Sequence, residues 1–418
     1  MLKLHRRDLL KSTAAVAVAA ALGCDKSNAA GLLAAAPQTI PGWYPVKIGG
    51  GGFVSRMSIA NDGTKVCRTD TWGAYTCTNG NPVWRQLCTA TSMPPPIPVV
   101  YASSPLGSNA KGGVNEVAVA PSNSHYMYMI WGKDDTTTGG PTVPGYILYS
   151  SNGGVTWSIA RNDIYSNSID SDYKFTGPRI AVDPQNPLNV FVGTPASGFY
   201  QATDGQTFNA VSGITPGATI TNITKAASAV ITYSGADIFS LYSTDKDKVY
   251  VTGVSGMTQI NNLMSGGALA QITALDTVAK TITVNINSSG FGAYTSGGTV
   301  TSANGVIVAF DPSSAVVGGL TQGVYAHVWG QGVYHSTDGG STWSLTSTGT
   351  PPTHSCYDMR VSFDGYVYVV PFDNSSNLYV YNPNTATWSV VDASNGSPSK
   401  TIGGVACSPT VAGLVITN

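Results

Sequence analysis

Glutamate occurs once in 418 residues, at Glu116, so any acid–base chemistry by a carboxylate falls almost entirely to aspartate. Charge of either sign is scarce: 10% of residues are Asp, Glu, Lys or Arg, against about 25% in an average soluble domain. A formal net charge of -1 supplies no basic surface with which to hold nucleic acid or an anionic membrane. No CxxC or HExxH spacing is present and the five His are scattered, so neither a metal nor another cofactor is expected. The apolar run from Ala14 to Leu22 is too short to span a bilayer, so no membrane span is expected.

What is abundant is glycine, 48 residues, with many Ser and Thr. That composition describes a turn-rich, all-β, extracytoplasmic protein. The first residues, His5-Arg6-Arg7-Asp8-Leu9-Leu10-Lys11 ahead of the apolar run, resemble a twin-arginine export signal. Cleavage after the Ala-rich stretch that ends near Ala36 gives a periplasmic or secreted protein; a lipid anchor on Cys24, in a poor lipobox, is the alternative. In an oxidising compartment Cys67, Cys77, Cys88, Cys356 and Cys407 favour one or two disulfides, with the pairing open.

Three related signatures organise the rest: Ser150-Ser151-Asn152-Gly153-Gly154-Val155-Thr156-Trp157, Ala202-Thr203-Asp204-Gly205-Gln206-Thr207-Phe208 and Ser336-Thr337-Asp338-Gly339-Gly340-Ser341-Thr342-Trp343. These are Asp-boxes, hairpin turns whose Asp or Asn bonds turn backbone, whose glycines take positive φ and whose aromatic packs between sheets. Weaker box-shaped turns close at Trp84 and Trp388. From Trp157 to Phe208 is 51 residues and from Trp343 to Trp388 is 45, but from Phe208 to Trp343 is 135. Setting aside about 90 Thr/Val/Ile-rich residues restores the period, which marks an insertion.

Each unit reads strand, turn, strand, loop, strand, box, strand. The expected fold is therefore all-β: a single β-propeller of about six to seven four-stranded blades with Asp-box turns and one inserted small β-module. The segments are 1–36 for the export signal, 43–213 and 304–418 for the two parts of the propeller, and 214–303 for the module. Five blades and a half are visible, and a strand near Trp43 to Ile48 is expected to complete the last sheet. In this arrangement the box acids and the acids Asp62, Asp183, Asp311 and Asp364 share one face. Asp70, Asp134, Asp135, Asp163, Asp170, Asp172 and Asp373 fall on the other, with Trp72, Trp131 and Trp329, and there a site is expected.

Ile48-Gly49-Gly50-Gly51-Gly52-Phe53-Val54, followed by Arg68-Thr69-Asp70-Thr71-Trp72-Gly73-Ala74-Tyr75, resembles the opening of glycoside hydrolase family 74, the xyloglucanases and related endo-β-1,4-glucanases. The likeness continues through Arg179-Ile180-Ala181-Val182-Asp183-Pro184 and Gly332-Val333-Tyr334-His335-Ser336. It implies an exported glycoside hydrolase of β-linked polysaccharide, xyloglucan or β-glucan in type, with Asp70 as base of an inverting mechanism. The family pairs two propellers with the acid on the second; this chain resembles only the first, so a second subunit or lobe is an implied partner. The insertion is similar to a small β-module of phage structural proteins and to the first catalytic cysteine half-domain of ubiquitin-activating enzymes. It contains no Cys and inherits no thiol chemistry.

Inversion requires a base and an acid roughly 6.5–9.5 Å apart. Asp172 or Asp135 is the candidate acid, and Trp72, Tyr75, Trp131 and Trp329 are the candidate sugar-binding aromatics. The competing reading is a non-catalytic carbohydrate-binding or surface-interaction propeller. A sialidase-like reading is remote: of eight Arg, two lie in the export signal, and the sole glutamate begins a strand.

Overall fold

The computed structural model describes residues 48, 54–70, 73–81, 83–95, 97, 110–135, 145–164, 176–194, 198–235, 248–261, 264–265, 268–302, 305–352, 356–371, 377–391, 402, 404–408 and 411–417. Nearly all regular structure in them is β, beside one 3-10 turn at Thr258–Ile260. Blade 1 is β1 (Val54–Ile59), β2 (Lys65–Thr69), β3 (Ala74–Cys77) and β4 (Arg85–Gln86). Blade 2 is β5 (Ala110–Val119), β6 (Met127–Asp135), β7 (Gly145–Ser150) and β8 (Ser158–Ile164). Blade 3 is β9 (Ile180–Val182), β10 (Val190–Gly193), β11 (Phe199–Ala202) and β12 (Asn209–Ala210).

The inserted sheet follows, with β13 (Gly217–Ile223), β14 (Val230–Ser234), β15 (Lys248–Thr252), β16 (Met264–Ser265), β17 (Ala268–Asp276), β18 (Thr281–Val284) and β19 (Thr299–Ser302). Blade 4 is β20 (Val306–Phe310), β23 (Val324–Val328), β24 (Gly332–Ser336) and β25 (Ser344–Leu345), with a small hairpin, β21 (Val316–Val317) and β22 (Leu320–Thr321), in its first turn. Blade 5 is β26 (Cys356–Val361), β27 (Val367–Pro371), β28 (Leu378–Asn382) and β29 (Thr387–Val391), and β30 (Val405–Cys407) with β31 (Val415–Thr417) begins a sixth. The described residues thus hold five complete blades and the start of a sixth. The segment expected to complete the last sheet lies, apart from Ile48, outside them.

Strand parity makes the seams. Val66, Ala74, Leu87, Met127, Met129 and Trp131 close the first between blades 1 and 2, and Tyr128, Ile130, Ile147 and Val182 the second. Trp157, Phe208 and Trp388 are buried in the first, second and fourth seams, with Trp343 partly buried in the third, and each buried aromatic contributes roughly 1.5–3 kcal/mol. The Trp157 indole N–H donates to the Leu87 carbonyl at 3.1 Å, and that of Trp388 to the Thr346 carbonyl at 2.9 Å, tying each turn to the preceding blade.

The box side chains hold their own turns. Asn152 Oδ1 accepts from the Thr156 N–H at 3.0 Å, and Asp338 Oδ1 from the Thr342 N–H at 2.8 Å. Hydrogen bonds from turn N–H and hydroxyl groups hold the Asp204 and Asp338 carboxyls down at about 2. Asp183 accepts from the N–H of Gln185 at 2.8 Å and, across the next seam, from the N–H of Thr321 at 2.9 Å. The carboxylates of this face are occupied with structure.

Blades 3 and 4 are in close contact at Gly193, where an added Cβ would run into the backbone carbonyl of Val306. A carbonyl within a strand cannot rotate aside as a side chain can, so Gly193→Ala should lower stability by about 1–3 kcal/mol. Urea unfolding checks this; an unchanged midpoint would show that the seam yields.

The inserted sheet curls into a closed barrel in the order β15-β19-β13-β14-β18-β17, sealed by β17 pairing with β15. Ile220, Ile231, Val251, Ile272, Ile282 and Val300 fill it. It leaves the ring between the last strand of blade 3 and the first of blade 4, which places it on the face opposite the boxes.

No disulfide joins the five described cysteines, contrary to the sequence expectation. Cys67 and Cys77 share a hairpin but stand opposite Tyr75 and Lys65, not each other, and the Cys77 thiol donates to the Asn81 carbonyl at 2.7 Å. Cys356 is buried in the seam between blades 4 and 5.

Candidate active site

Asp70 follows the last residue of β2 and is partly exposed at the end of blade 1 opposite the box turns. Its turn is closed twice: the Thr69 N–H donates to the Gly73 carbonyl at 2.9 Å, and the Gly73 N–H donates to Thr69 Oγ1 at 3.2 Å. A Cβ at Gly73 would lie 2.8 Å from the Tyr75 ring, so that ring backs directly onto the turn. Burial pushes the Tyr75 phenol up, and nearby Cys67 and Cys88 add to the shift. Tyr75 therefore packs against the turn that begins at Asp70.

Trp131 and Trp329 do not present sugar platforms. Their exposures are 1% and 2%. Trp131 continues the parity of Met127 and Met129 into the seam between blades 1 and 2, and Trp329 stands edge-on to buried His327 at 6.4 Å. A position at a strand end gives no indication of which neighbouring blade will cover a ring. Asp135 ends β6 opposite Ala110, and Asp134 stands opposite Lys111. Trp72, Asp170, Asp172 and Asp373 lie outside the described residues.

A buried charge lattice, which the sequence pattern does not predict, lies beside the Asp70 turn. Arg56 and Arg68 are directly opposite each other on β1 and β2, a like-charge pair that repels on its own. Glu116, from β5, lies between them, with Oε1 3.2 Å from Arg68 Nε and Oε2 3.8 Å from Arg56 Nε. Arg56 also reaches Asp358 of β26 at 2.9 Å, and Arg360 reaches the same oxygen at 3.4 Å. The Arg179 N–H donates to Glu116 at 3.3 Å, and its guanidinium donates to Thr176 Oγ1 at 2.6 Å.

Three β-bulges aim these charges. β1 shifts register between Val54 and Arg56, β5 between Val114 and Glu116, and β26 between Cys356 and Asp358. An extra residue increases local twist and redirects the side chain that follows, here toward the axis shared by the innermost strands. A signal lay in the sequence as a charged residue within or just before the first strand of four blades, at Arg56, Glu116, Arg179 and Asp358. In a chain with 10% charge, that recurrence is conspicuous.

The electrostatics follow from crowding. Burial pushes the Arg68 guanidinium below the usual arginine range; Glu116 opposes this and Arg56 adds to it. Burial acts the same way on Arg56, but Asp358 and Glu116 outweigh it and raise its pKa. For Asp358 burial favours the neutral acid, yet Arg360, Arg56 and the Val405 N–H together hold the carboxyl below its ordinary value. Glu116 and Asp358 are thus committed to guanidinium partners. Neither is placed to deliver a proton to a substrate.

Among the described residues no group of three His, Cys, Asp or Glu is arranged to hold a metal ion, and no helix is long and apolar enough to cross a membrane. Residues 3–23 match the twin-arginine translocation pathway signal sequence, which directs the chain to the periplasm or beyond. A xyloglucanase from a Paenibacillus species is 34% identical over 93 residues, 19% of this chain and 9% of that protein. The solved structure of a GH74 enzyme from Niastella koreensis superimposes with a TM-score of 0.52 at 23% identity, covering 89% of this chain and 41% of the enzyme. The GH74 xyloglucanase from Xanthomonas campestris gives 0.52 at 20% identity, covering 87% and 41%. These likenesses show the propeller fold, and the chain spans about two fifths of the length of the solved enzymes.

Proposed function

We propose that this exported propeller is a glycoside hydrolase of β-linked polysaccharide, of xyloglucan or β-glucan type, in which Asp70 is the base of an inverting reaction. One observation carries the reading: Asp70 stands partly exposed at the end of β2, in a doubly closed turn backed by Tyr75, on the face where the box acids do not reach. A carboxylate held in this way can take a proton from water attacking the anomeric carbon, while an acid across the groove protonates the leaving oxygen. Asp135 or Asp172 is the acid within this chain, and a second subunit or lobe is the other source. Tyr75 and Trp72 are the sugar-contacting aromatics of the proposal; the burial of Trp131 and Trp329 removes them from it. The xyloglucanase neighbours supply the substrate class.

Reducing-sugar release from xyloglucan, mixed-linkage glucan and cellulose tests this. Hydrolysis by the wild-type chain that disappears in Asp70→Ala supports the assignment, and hydrolysis that survives the substitution removes Asp70 from the mechanism. Retention of polysaccharide without release of reducing ends would identify a carbohydrate-binding propeller instead.

A further inference from the structure

We infer that Arg68 and Thr69 are positioning residues, a bracket that fixes the direction of the Asp70 carboxylate. The inference rests on the reading of Asp70 as base. Arg68 is two residues from Asp70 and almost wholly buried, with a side-chain exposure of 1%. Its guanidinium donates to Ser55 Oγ at 3.1 Å, to Glu116 Oε1 at 3.2 Å and to the Thr176 carbonyl at 3.4 Å. Those partners belong to its own blade, to blade 2 and to the segment that leads into blade 3. The end of β2 is therefore pinned from three directions.

A buried ion pair is a costly way to hold one strand end, since well-packed apolar residues in place of both partners serve stability as well or better. What the guanidinium adds is a fixed planar fork, whose hydrogen bonds set orientation as well as distance. Thr69 then passes that rigidity on. Its N–H and Oγ1 both engage Gly73, so Asp70 is the first residue of a turn that is locked at each end. The Tyr75 ring lies directly against Gly73. Arg68, Thr69 and Asp70 thereby act in turn as anchor, clasp and base. The value of such an arrangement is preorganisation, because displacing a reacting group by about 1 Å can cost on the order of 100-fold in rate.

The test uses the full chain with the Thr69→Val, Thr69→Ser and Arg68→Lys variants beside Asp70→Asn, assayed on xyloglucan. Thr69→Val keeps the side-chain volume and removes the acceptor for the Gly73 N–H. It should lower kcat about 100-fold with KM within about twofold. Thr69→Ser, which restores the oxygen, should recover most of kcat, and Arg68→Lys, which keeps charge but loses the fork, should resemble Thr69→Val. A bracket of purely structural value would shift the unfolding temperature and leave kcat alone, and that result overturns the inference. If the wild type releases no sugar, the hydrolase reading fails separately. The bracket is then decided by hydrogen exchange at the Gly73 amide: at least about tenfold faster exchange in Thr69→Val than in wild type and Thr69→Ser supports it, and equal rates overturn it.

Discussion

Glu116→Gln is expected to lower unfolding stability by about 3–5 kcal/mol, far more than any neutralisation of a surface acid in this chain. The substitution preserves shape, so packing is unchanged and the loss reports the charge together with the acceptor that an amide NH2 cannot supply to Arg68 or to the Arg179 N–H. Arg56 and Arg68 stand opposite each other, and Glu116 is the carboxylate between them. Asp358 can still serve Arg56 at 2.9 Å, which leaves the effect concentrated on Arg68. The comparison is Asp163→Asn: Asp163 is 60% exposed where it pairs with Arg161, and such a pair contributes about 0–1 kcal/mol. Urea unfolding of both variants ranks them. Equal losses would mean that the lattice is solvated and behaves as a surface pair does. Replacing both partners, as Arg68→Met with Glu116→Leu, should recover much of the loss, since neither charge is then left uncompensated.

The second large effect is an acid-dependent loss of stability traceable to His327. This imidazole is fully buried on β23, between Ile307 and Val333 of the adjoining strands, and among the described residues no other residue hydrogen-bonds either ring nitrogen. Burial lowers its pKa to about 3, from an ordinary value near 6.5. A folded-state value below the unfolded one means that the unfolded chain binds the extra proton. Stability therefore falls as pH drops from about 6.5 toward 3 and levels off below, by about 1.4 kcal/mol for each pH unit inside that window. Neighbouring His335, stacked on Tyr325 at 4.1 Å, is shifted down as well, chiefly by burial, and steepens the slope. The box carboxylates act in a separate range: Asp204 and Asp338, held at about 2, contribute above the usual carboxylate pKa and lose that contribution only as pH falls toward 2. Unfolding midpoints at pH 7, 5.5 and 4.5 thus isolate the histidines. His327→Leu should remove most of the slope, and a slope unchanged in that variant would assign the acid sensitivity elsewhere.

What the sequence reveals of this molecule divides along contact distance in the chain. The blades were legible because every signal that defines them is local: a turn acid, two glycines and an aromatic within eight residues, repeated at a blade's length. The insertion was legible as an interruption of that period. Asp70 enters as a candidate only through the family resemblance, although Thr69, Gly73 and Tyr75, which shape its turn, are its immediate neighbours. The lattice was not, because Arg56 and Asp358 are 302 residues apart and meet only when the ring brings first strands to a common axis. The bulges that aim them depend on register with a partner strand, which no single strand reveals. Trp131 illustrates the converse error. Its place toward the end of a strand suggests an open ring, but its parity with Met127 and Met129 already assigns it to a seam.

The barrel between blades 3 and 4 has one further property. Its first and last strands, β13 and β19, are hydrogen-bonded neighbours, and Gly217 pairs with Thr301. The chain therefore departs from the ring and returns to it within one inter-strand spacing, about 5 Å. To the propeller, those 85 or so intervening residues are equivalent to a very short loop, because the loop-closure entropy that matters is that of the gap and not of the excursion. The ring is thus indifferent to what the excursion contains: the site between blades 3 and 4 is a socket, through which a self-contained unit can be removed, exchanged or enlarged without altering the register of a single blade.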